Sequence, residues 1–66
     1  MVKTNRKYSL KELRARDDKT QEQVANDLNI SVQTYNAWEN NPGMIKLSNA
    51  ILVCEYYMVS LAEIKV

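Results

Sequence analysis

The chain has 66 residues, a formal net charge of +1 and no histidine, so we expect a single small domain with little room for a catalytic cleft beside its core. The missing histidine removes the commonest general base and metal ligand. The single cysteine, Cys54, excludes an internal disulfide and a cysteine-rich zinc site. We therefore predict no enzyme, no metal and no cofactor. No membrane span or signal peptide is evident, which favours a cytoplasmic protein.

Positive charge is concentrated at the beginning of the chain. Residues 1–16 contain six Lys and Arg residues against one acid, whereas residues 17–66 contain three lysines against seven acids. One interpretation is a solvated tail followed by a solvated helix face. The other is an electrostatic footprint, at one end of the domain, for a nucleic acid.

Helix-start signals divide the chain into five predicted helices. The segments SLKE at Ser9, TQEQ at Thr20 and SLAE at Ser60 each have the form of a capping box, and Ser31 is a fourth N-cap candidate. These signals predict helices over residues 9–16, 21–28, 32–40 and 47–57, and a short fifth helix that begins at residue 61.

Turn residues separate the second, third and fourth helices. Asn29 tolerates the left-handed conformation that would end the second helix. Asn41 precedes Pro42 and is therefore pushed out of helical geometry at the end of the third helix. Pro42 and Gly43 fit the middle of a type II turn.

Apolar residues recur at helical spacing and predict the core. Cys54 belongs to this pattern, and a lone cysteine on an apolar stripe behaves as a small hydrophobic residue more often than as a nucleophile. The predicted core consists of Leu10, Leu13, Val24, Ala25, Leu28, Tyr35, Trp38, Leu47, Ala50 or Ile51, Cys54 and Tyr57.

The stretch from residue 20 to residue 39 predicts two helices joined by a tight corner at residues 29–31. Such a short connection forces the helices to cross steeply and leaves the second helix projecting. Tyr35 and Trp38 anchor one side of it. The other side presents neutral groups, because residues 31–39 contain no Lys or Arg.

This stretch resembles the helix-turn-helix of the phage repressor and Cro (XRE-like) family. The family pattern has Thr-Gln, an apolar residue, Ala, a further apolar residue, a turn, Ser, and a helix that ends in an aromatic or aliphatic residue followed by Glu-Asn. The resemblance extends to LKELRAR before this stretch and VSLAEI after it, and so covers about residues 9–64. The matching residues are Thr20, Gln21, Val24, Ala25, Leu28, Ser31, Trp38, Glu39 and Asn40.

The resemblance implies an all-α, compact, five-helix, lambda-repressor-like DNA-binding domain, with a helix-turn-helix formed by the second and third helices. On this resemblance we expect residues 1–66 to form one domain, with an N-terminal arm at 1–8 and the five-helix core at 9–64. The third helix would lie in the DNA major groove. The implied contacts to base edges are Val32, Gln33, Asn36 and Ala37, and the predicted contacts to phosphates are Thr20, Gln21, Asn40 and Lys46.

The same resemblance places Arg14 and Glu39 at positions that form an internal ion pair in many family members. Several positions depart from the family pattern, among them Leu52 and Tyr56, which stand where surface Lys or Ala are common. Asn41 and Met58 replace glycines, and Lys46 replaces a Ser or Thr cap, which allows the fourth helix to start later with Ser48 as its cap. Met58 would be strained in a left-handed conformation.

Two functions follow as hypotheses. The first is a sequence-specific transcriptional regulator, of the phage or prophage repressor kind, which binds a palindromic operator in double-stranded DNA as a homodimer. Leu52 and Tyr56, spaced i, i+4 on the fourth helix, are the predicted dimer patch. The second is a protein-interaction module that reuses the fold, such as an antitoxin or a partner-binding subunit. Neither a small-molecule ligand nor a membrane is predicted as a partner.

Overall fold

Four α-helices and two short 3₁₀ turns, with no β-strand, make up residues 7–65, the part of the chain that the computed structural model describes. The all-α class is confirmed, but the prediction of five helices is wrong. The α-helices are α1 (Leu10–Arg16), α2 (Gln21–Leu28), α3 (Val32–Asn40) and α4 (Leu47–Tyr57), and the 3₁₀ turns are Pro42–Met44 and Leu61–Glu63.

The predicted fifth helix is only the 3₁₀ turn Leu61–Glu63. Its N-terminal signal is present, because the Ser60 N–H donates to Glu63 Oε1 at 2.8 Å. The backbone becomes extended at Ile64, where it forms a parallel bridge with Tyr8. The two bridging bonds run from the Tyr8 N–H to the Glu63 carbonyl and from the Lys65 N–H to the Tyr8 carbonyl, at 2.7 and 2.9 Å. This pairing stops the helix, and it also fixes the last residue of the predicted arm at 1–8, whose residues 1–6 lie outside the described part.

The predicted N-caps of the first three helices are confirmed. Ser9 and Thr20 each form a complete capping box, and Ser31 Oγ accepts the Thr34 N–H at 3.1 Å. Each cap satisfies backbone N–H groups that would otherwise lack a partner in the first helical turn. The starts of α1, α2 and α3 are therefore determined by local side chains.

The junction between α3 and α4 differs from the prediction in two respects. Gly43 does not have the positive φ that a type II turn requires. Instead, consecutive bonds from Met44 to Asn41 and from Ile45 to Pro42 close a 3₁₀ turn. Helix α4 spans the predicted range, residues 47–57, and starts directly after Lys46 without a side-chain cap, so the alternative of a later start with Ser48 as the cap is wrong.

Met58 ends α4 in the left-handed conformation, with φ +60° and ψ +45°. This conformation costs a non-glycine residue on the order of 1–3 kcal/mol. The Met58 side chain is 89% exposed and contributes little packing to offset that cost. The strain that the sequence predicts at this position is therefore present.

Replacing Met58 by glycine is expected to raise the free energy of unfolding by about 0.5–1 kcal/mol, because relief of the left-handed strain exceeds the extra entropy of glycine in the unfolded chain. Urea denaturation measures the change. Asn29→Gly is the matched control, since Asn29 ends α2 at φ +60°, but asparagine tolerates this conformation and should gain less. A Met58→Gly protein no more stable than the wild type would contradict the prediction.

The core lies between the four helices and the 3₁₀ turn at Leu61–Glu63. The predicted residues from α1, α2 and α3 are buried. On α4 the prediction is partly wrong, because Leu47 and Ile51 are 65% and 46% exposed, whereas Val53, which was not predicted, is buried. The buried residues are Leu10, Leu13, Val24, Ala25, Leu28, Tyr35, Trp38, Val53, Cys54, Tyr57 and Ile64.

Two buried hydroxyl groups connect α3 to α4 inside this core. The Tyr35 and Tyr57 oxygens lie 2.6 Å apart, and one donates to the other. Burial, and then the hydrogen bond to Tyr57, raises the pKa of Tyr35. The bond gives each of these buried oxygens a partner and places the anchored side of α3 at a fixed position against α4.

Leu47 and Ile51 on α4, together with Leu61 of the second 3₁₀ turn, form an exposed apolar face. Leu47 and Leu61 line one groove of about 470 Å³, whose floor includes Ile45, Ala50 and Ile64. Ile51 lies one helical turn beyond Leu47 on the same side of α4. Contiguous exposed apolar side chains can mark interaction surfaces.

Candidate nucleic-acid interface

The corner between α2 and α3 fixes the direction in which α3 projects. Asn29 adopts φ +60° and ψ +43°, and the Ile30 N–H donates to the Ala25 carbonyl at 2.9 Å. Ile30 packs against the core, and Ser31 then caps α3. One left-handed residue, one apolar residue and one cap therefore complete the turn, as the sequence predicts.

Helix α3 has one buried side and one exposed side. Tyr35 and Trp38 are buried, whereas Gln33, Asn36 and Ala37 are exposed, as is Asn40 one turn further on. These exposed residues share one side of the helix and carry no charge. We call Gln33, Asn36, Ala37 and Asn40 the amide face.

Val32, the remaining residue predicted at a base edge, lies differently. It is half-buried and packs against the core, so only part of its side chain is accessible. The structure therefore brings Gln33, Asn36 and Ala37 together on the surface and sets Val32 at its edge. Their contacts with bases stay a prediction.

The predicted ion pair between α1 and α3 is confirmed. Arg14 Nε donates to Glu39 Oε2 at 2.6 Å and Arg14 Nη2 donates to Glu39 Oε1 at 3.2 Å. The Glu39 side chain is only 5% exposed. Partial burial raises the pKa of Glu39, but the hydrogen bonds from Arg14 and Gln21 outweigh it and hold the pKa below its ordinary value. Glu39 is therefore ionised, yet its charge is neutralised beside the amide face.

Three amide side chains continue from this carboxylate to the surface. Gln21 Nε2 donates to Glu39 Oε1 at 2.8 Å, Asn36 Nδ2 donates to Gln21 Oε1 at 3.2 Å, and Asn40 Nδ2 donates to Asn36 Oδ1 at 3.2 Å. We call Gln21, Asn36 and Asn40 the amide chain. Residue types and periodicity alone did not predict the amide chain, although the i, i+4 spacing of Asn36 and Asn40 is a signal for one of its bonds.

The four residues predicted at phosphates all lie at helix ends. Thr20 caps α2 through a bond that Oγ1 accepts from the Gln23 N–H at 3.1 Å. Gln21 and Asn40 are the first residue of α2 and the last residue of α3, and both belong to the amide chain. Lys46 precedes α4 and is exposed. Helix N-termini favour anions, but contact with phosphate stays a prediction for all four.

Two arginines of the basic N-terminal segment are structural rather than free. Arg14 pairs with Glu39, and Arg16 pairs with Asp17 at 2.8 Å and donates to the Tyr57 carbonyl at 2.7 Å, which connects α1 to the end of α4. Lys7 donates to the Ala62 carbonyl, whereas Lys11 is exposed. The electrostatic footprint within residues 7–16 is thus smaller than the count of basic residues indicates, and residues 1–6 lie outside the described part.

Tyr56 also differs from its predicted role in a dimer patch with Leu52. Its hydroxyl donates to Asp27 Oδ2 at 2.6 Å and accepts from Lys19 Nζ at 2.8 Å, while the Lys19 ammonium lies 4.7 Å from the centre of the Tyr56 ring. The side chain therefore connects α4 to α2 within one chain. Leu52 alone remains exposed of the predicted pair, at 41%.

The other reactive or metal-binding groups in the described part of the chain do not form a second candidate site. Residues 7–65 contain no cluster of acidic and cysteine side chains suited to a metal ion. Cys54 is buried, and burial raises the pKa of its thiol, which suits a core residue better than a nucleophile. None of the described helices has the length and apolar character needed to cross a bilayer.

A short two-helix corner, whose second helix has a neutral, exposed side and is anchored by aromatic residues on its other side, is typical of a helix-turn-helix domain. The chain matches the family model described as "Helix-turn-helix" over residues 10–64. It therefore belongs to the helix-turn-helix family of the XRE and Cro type, a family of DNA-binding regulators. Neither the curated proteins nor the solved structures gave a significant match.

Proposed function

We propose that this protein is a sequence-specific transcriptional regulator of the phage repressor kind, which binds double-stranded DNA with α3 in the major groove. The observation that carries the proposal is the amide face. It is an exposed and uncharged side of α3, and Arg14 neutralises the one nearby carboxylate of that helix, Glu39. Amides bind bases through matched donors and acceptors and need no net charge. A regulator of this kind works in the compartment that holds the DNA, so a cytoplasmic location is part of the proposal.

On this proposal Gln33 and Asn36 each bond adenine N6 and N7, and Ala37 and the accessible part of Val32 contact thymine methyl groups. Thr20, Gln21, Asn40 and Lys46 position the domain on phosphates. Selection of bound sites from random DNA tests the function directly. A palindromic consensus supports a dimeric regulator, and the absence of any consensus ends the proposal.

A single α3 contacts few base pairs, so we propose a homodimer that binds two half-sites about one helical turn apart. The exposed apolar face of Leu47, Ile51 and Leu61 is the better candidate for the interface, because Tyr56 bonds within its own chain. A two-fold symmetric contact would bring this face against its own copy.

The alternative is a protein-interaction module, such as an antitoxin or a partner-binding subunit. The same exposed apolar face favours it, as do the bonds that hold Arg14 and Arg16 within the chain rather than leaving them free for phosphates. A salt titration on random duplex DNA separates the two functions. A DNA-binding domain loses affinity steeply as the salt concentration rises, whereas an interaction module shows no such binding.

Base contact and phosphate contact are expected to respond differently to substitution. Gln33→Ala should weaken the preference at one base pair per half-site by about 1–3 kcal/mol and leave the salt slope nearly unchanged. Asn36→Ala should do the same at a neighbouring base pair. Lys11→Ala should weaken binding to all sequences alike and reduce the slope by about one unit if Lys11 contacts a phosphate.

Binding measurements on the operator and on single-base variants, at several salt concentrations, check these expectations. Lys11→Ala serves as the matched control for the amide variants, since it removes an exposed side chain on a different helix. A Gln33→Ala protein that keeps its full sequence preference while losing affinity uniformly would show that α3 is not the recognition helix. The interaction-module function would then be favoured.

A further inference from the structure

The groove beside the first turn of α4 exists because the buried side of that helix begins with a small residue. Cys54 and Tyr57 are buried, and Ala50 lies on the same side one turn before them. Its methyl group fills little of the space over Ile45 and Ile64, so Ala50 is only half-buried and a groove of about 470 Å³ stays open. Small-ligand pockets typically occupy about 300–1,000 Å³, so the groove is large enough for a ligand.

The described residues that line this groove have no polar side chain other than that of Lys7. Lys7 Nζ donates to the Ala62 carbonyl at 3.2 Å, which holds the ammonium group at one margin of the groove. An ammonium group has three N–H donors, so two remain for an anion. Within residues 7–65 no carboxylate lines the groove or pairs with Lys7. The groove therefore combines an apolar floor with a single positive charge at its margin.

We propose that this groove binds a small organic acid, whose hydrocarbon part lies over Ile45, Ala50 and Ile64 and whose carboxylate accepts from Lys7 Nζ. An apolar lining with a few placed polar or charged groups is the usual composition of a small-ligand site. An ammonium group and a carboxylate form charge-assisted hydrogen bonds. Residue types and periodicity did not indicate this site, because Lys7, α4 and the turn at Leu61 come together only in the folded chain.

A bound acid would also affect the proposed homodimer. Leu47 and Leu61 line the groove and belong to the exposed apolar face, so the acid changes the surface that a second copy would contact. This regulatory consequence rests on the proposed function, whereas binding of the acid does not. We expect the acid to weaken the dimer, as measured by sedimentation, and with it the affinity for an operator of two half-sites.

Octanoate, octanol and octylammonium test the site on the full chain, because they share one alkyl chain and differ in the charge of the head group. Backbone amide signals in NMR spectra follow each titration, below the concentration at which micelles form. Octanoate should shift the signals of Gly43, Ile45 and Leu47 most, with a dissociation constant on the order of 1 mM. It should bind about 1.5- to 5-fold more tightly than octanol, as expected for one exposed ion pair, and octylammonium should bind most weakly.

Lys7→Met separates the charge from the apolar floor. This variant should bind octanoate no more tightly than octanol and should retain the octanol affinity of the wild type, a pattern that loss of the fold would not produce. Lys11→Met is the matched control, because Lys11 is an exposed lysine that does not line the groove. It should keep the preference for octanoate.

Ala50→Leu tests the position of the site. A leucine fills the groove, so octanoate affinity should fall by about 10-fold or more, the factor given by about two buried CH₂ groups, while thermal stability stays equal or rises. Ala15→Leu, at an exposed position of α1, is the matched control and should bind octanoate as the wild type does. Gly43→Leu is a second groove variant in case leucine overpacks at Ala50, because a Cβ at Gly43 meets no heavy atom within 4 Å. It should weaken octanoate binding too.

Three results would overturn the inference. Equal affinity for the three probes would show that the groove does not select a carboxylate. Octanoate binding that survives in both Ala50→Leu and Gly43→Leu would place the acid elsewhere. Absence of binding by any probe would assign the groove to a protein side chain, from a second copy if Ala50→Leu also loses the dimer and from another partner if it does not.

The failure of this inference and that of the proposed function are distinguishable. The titrations contain no DNA, so a protein that selects no consensus from random DNA can still bind octanoate. Octanoate binding without any change in sedimentation or operator affinity would overturn the regulatory consequence and leave the ligand site in place.

Discussion

Arg14→Met is expected to destabilise the domain by about 2–4 kcal/mol, since it leaves the Glu39 carboxylate nearly buried without its counter-charge. The side chains of Arg14 and Glu39 are only 19% and 5% exposed, so water replaces the lost partner poorly. A domain of this size has a free energy of unfolding of roughly 3–10 kcal/mol. The variant should therefore be partly or wholly unfolded at 37 °C, and urea denaturation followed by circular dichroism measures the loss.

The pH dependence identifies the cause. The pKa of Glu39 is lowered in the folded state, so its stabilising contribution is present above the ordinary pKa of about 4.3 and is lost as the pH falls through the lower folded value. The free energy of unfolding of the wild type should thus fall below about pH 4.5. Over the same pH range, that of Arg14→Met should fall less. The exposed pair of Lys65 and Glu12, 3.6 Å apart, supplies the control, because Lys65→Met should change stability little.

The double variant Arg14→Met with Glu39→Leu removes both charges and should recover most of the lost stability, because a well-packed apolar pair can replace a buried ion pair. The DNA affinity of the double variant gives a second measurement, because Glu39→Leu removes the carboxylate to which Gln21 Nε2 donates. A double variant as unstable as Arg14→Met alone would show that the packing of the arginine stem, rather than the charge, maintains the contact between α1 and α3.

Local chemistry made most of the fold predictable. Ser9, Thr20 and Ser31 determine where α1, α2 and α3 begin, and Asn29 determines where α2 ends, because each acts on backbone groups within a few residues. Arg14 and Glu39 are 25 positions apart, and only the family resemblance brought them together.

The missed features depend on contacts between distant segments. Helix α4 is apolar around much of its circumference, so periodicity did not distinguish the buried Val53 from the exposed Ile51. The prediction of a fifth helix was wrong because Ile64 pairs with Tyr8. No pattern among neighbouring residues indicates a bridge between such distant positions. The amide chain joins α2 to α3 through side-chain rotamers, which a sequence does not specify.

The second large effect concerns the apolar face. Ile51→Glu should convert the proposed homodimer to a monomer, because it places a charge on the exposed apolar face, one helical turn from Leu47. A monomer binds each half-site independently, so operator affinity should fall by about 10²–10⁴-fold, the gain that linked binding of two sites provides. Affinity for a duplex with a single half-site should be unchanged, since Ile51 lies on α4 and the amide face lies on α3. Sedimentation at micromolar concentration and binding to both duplexes measure the two expectations.

Leu52→Glu is the matched control. Leu52 is adjacent to Ile51, is similarly exposed at 41% against 46%, and belongs to the dimer patch that the sequence predicted. Helical geometry separates the two side chains by about 100° around the axis of α4, so a contact through the apolar face should tolerate a charge at Leu52. Loss of the dimer in Leu52→Glu but not in Ile51→Glu would restore the sequence-predicted patch. Full operator affinity in both variants would show that two copies bound to one operator do not associate through α4. The apolar face would then be left for a partner of a different kind.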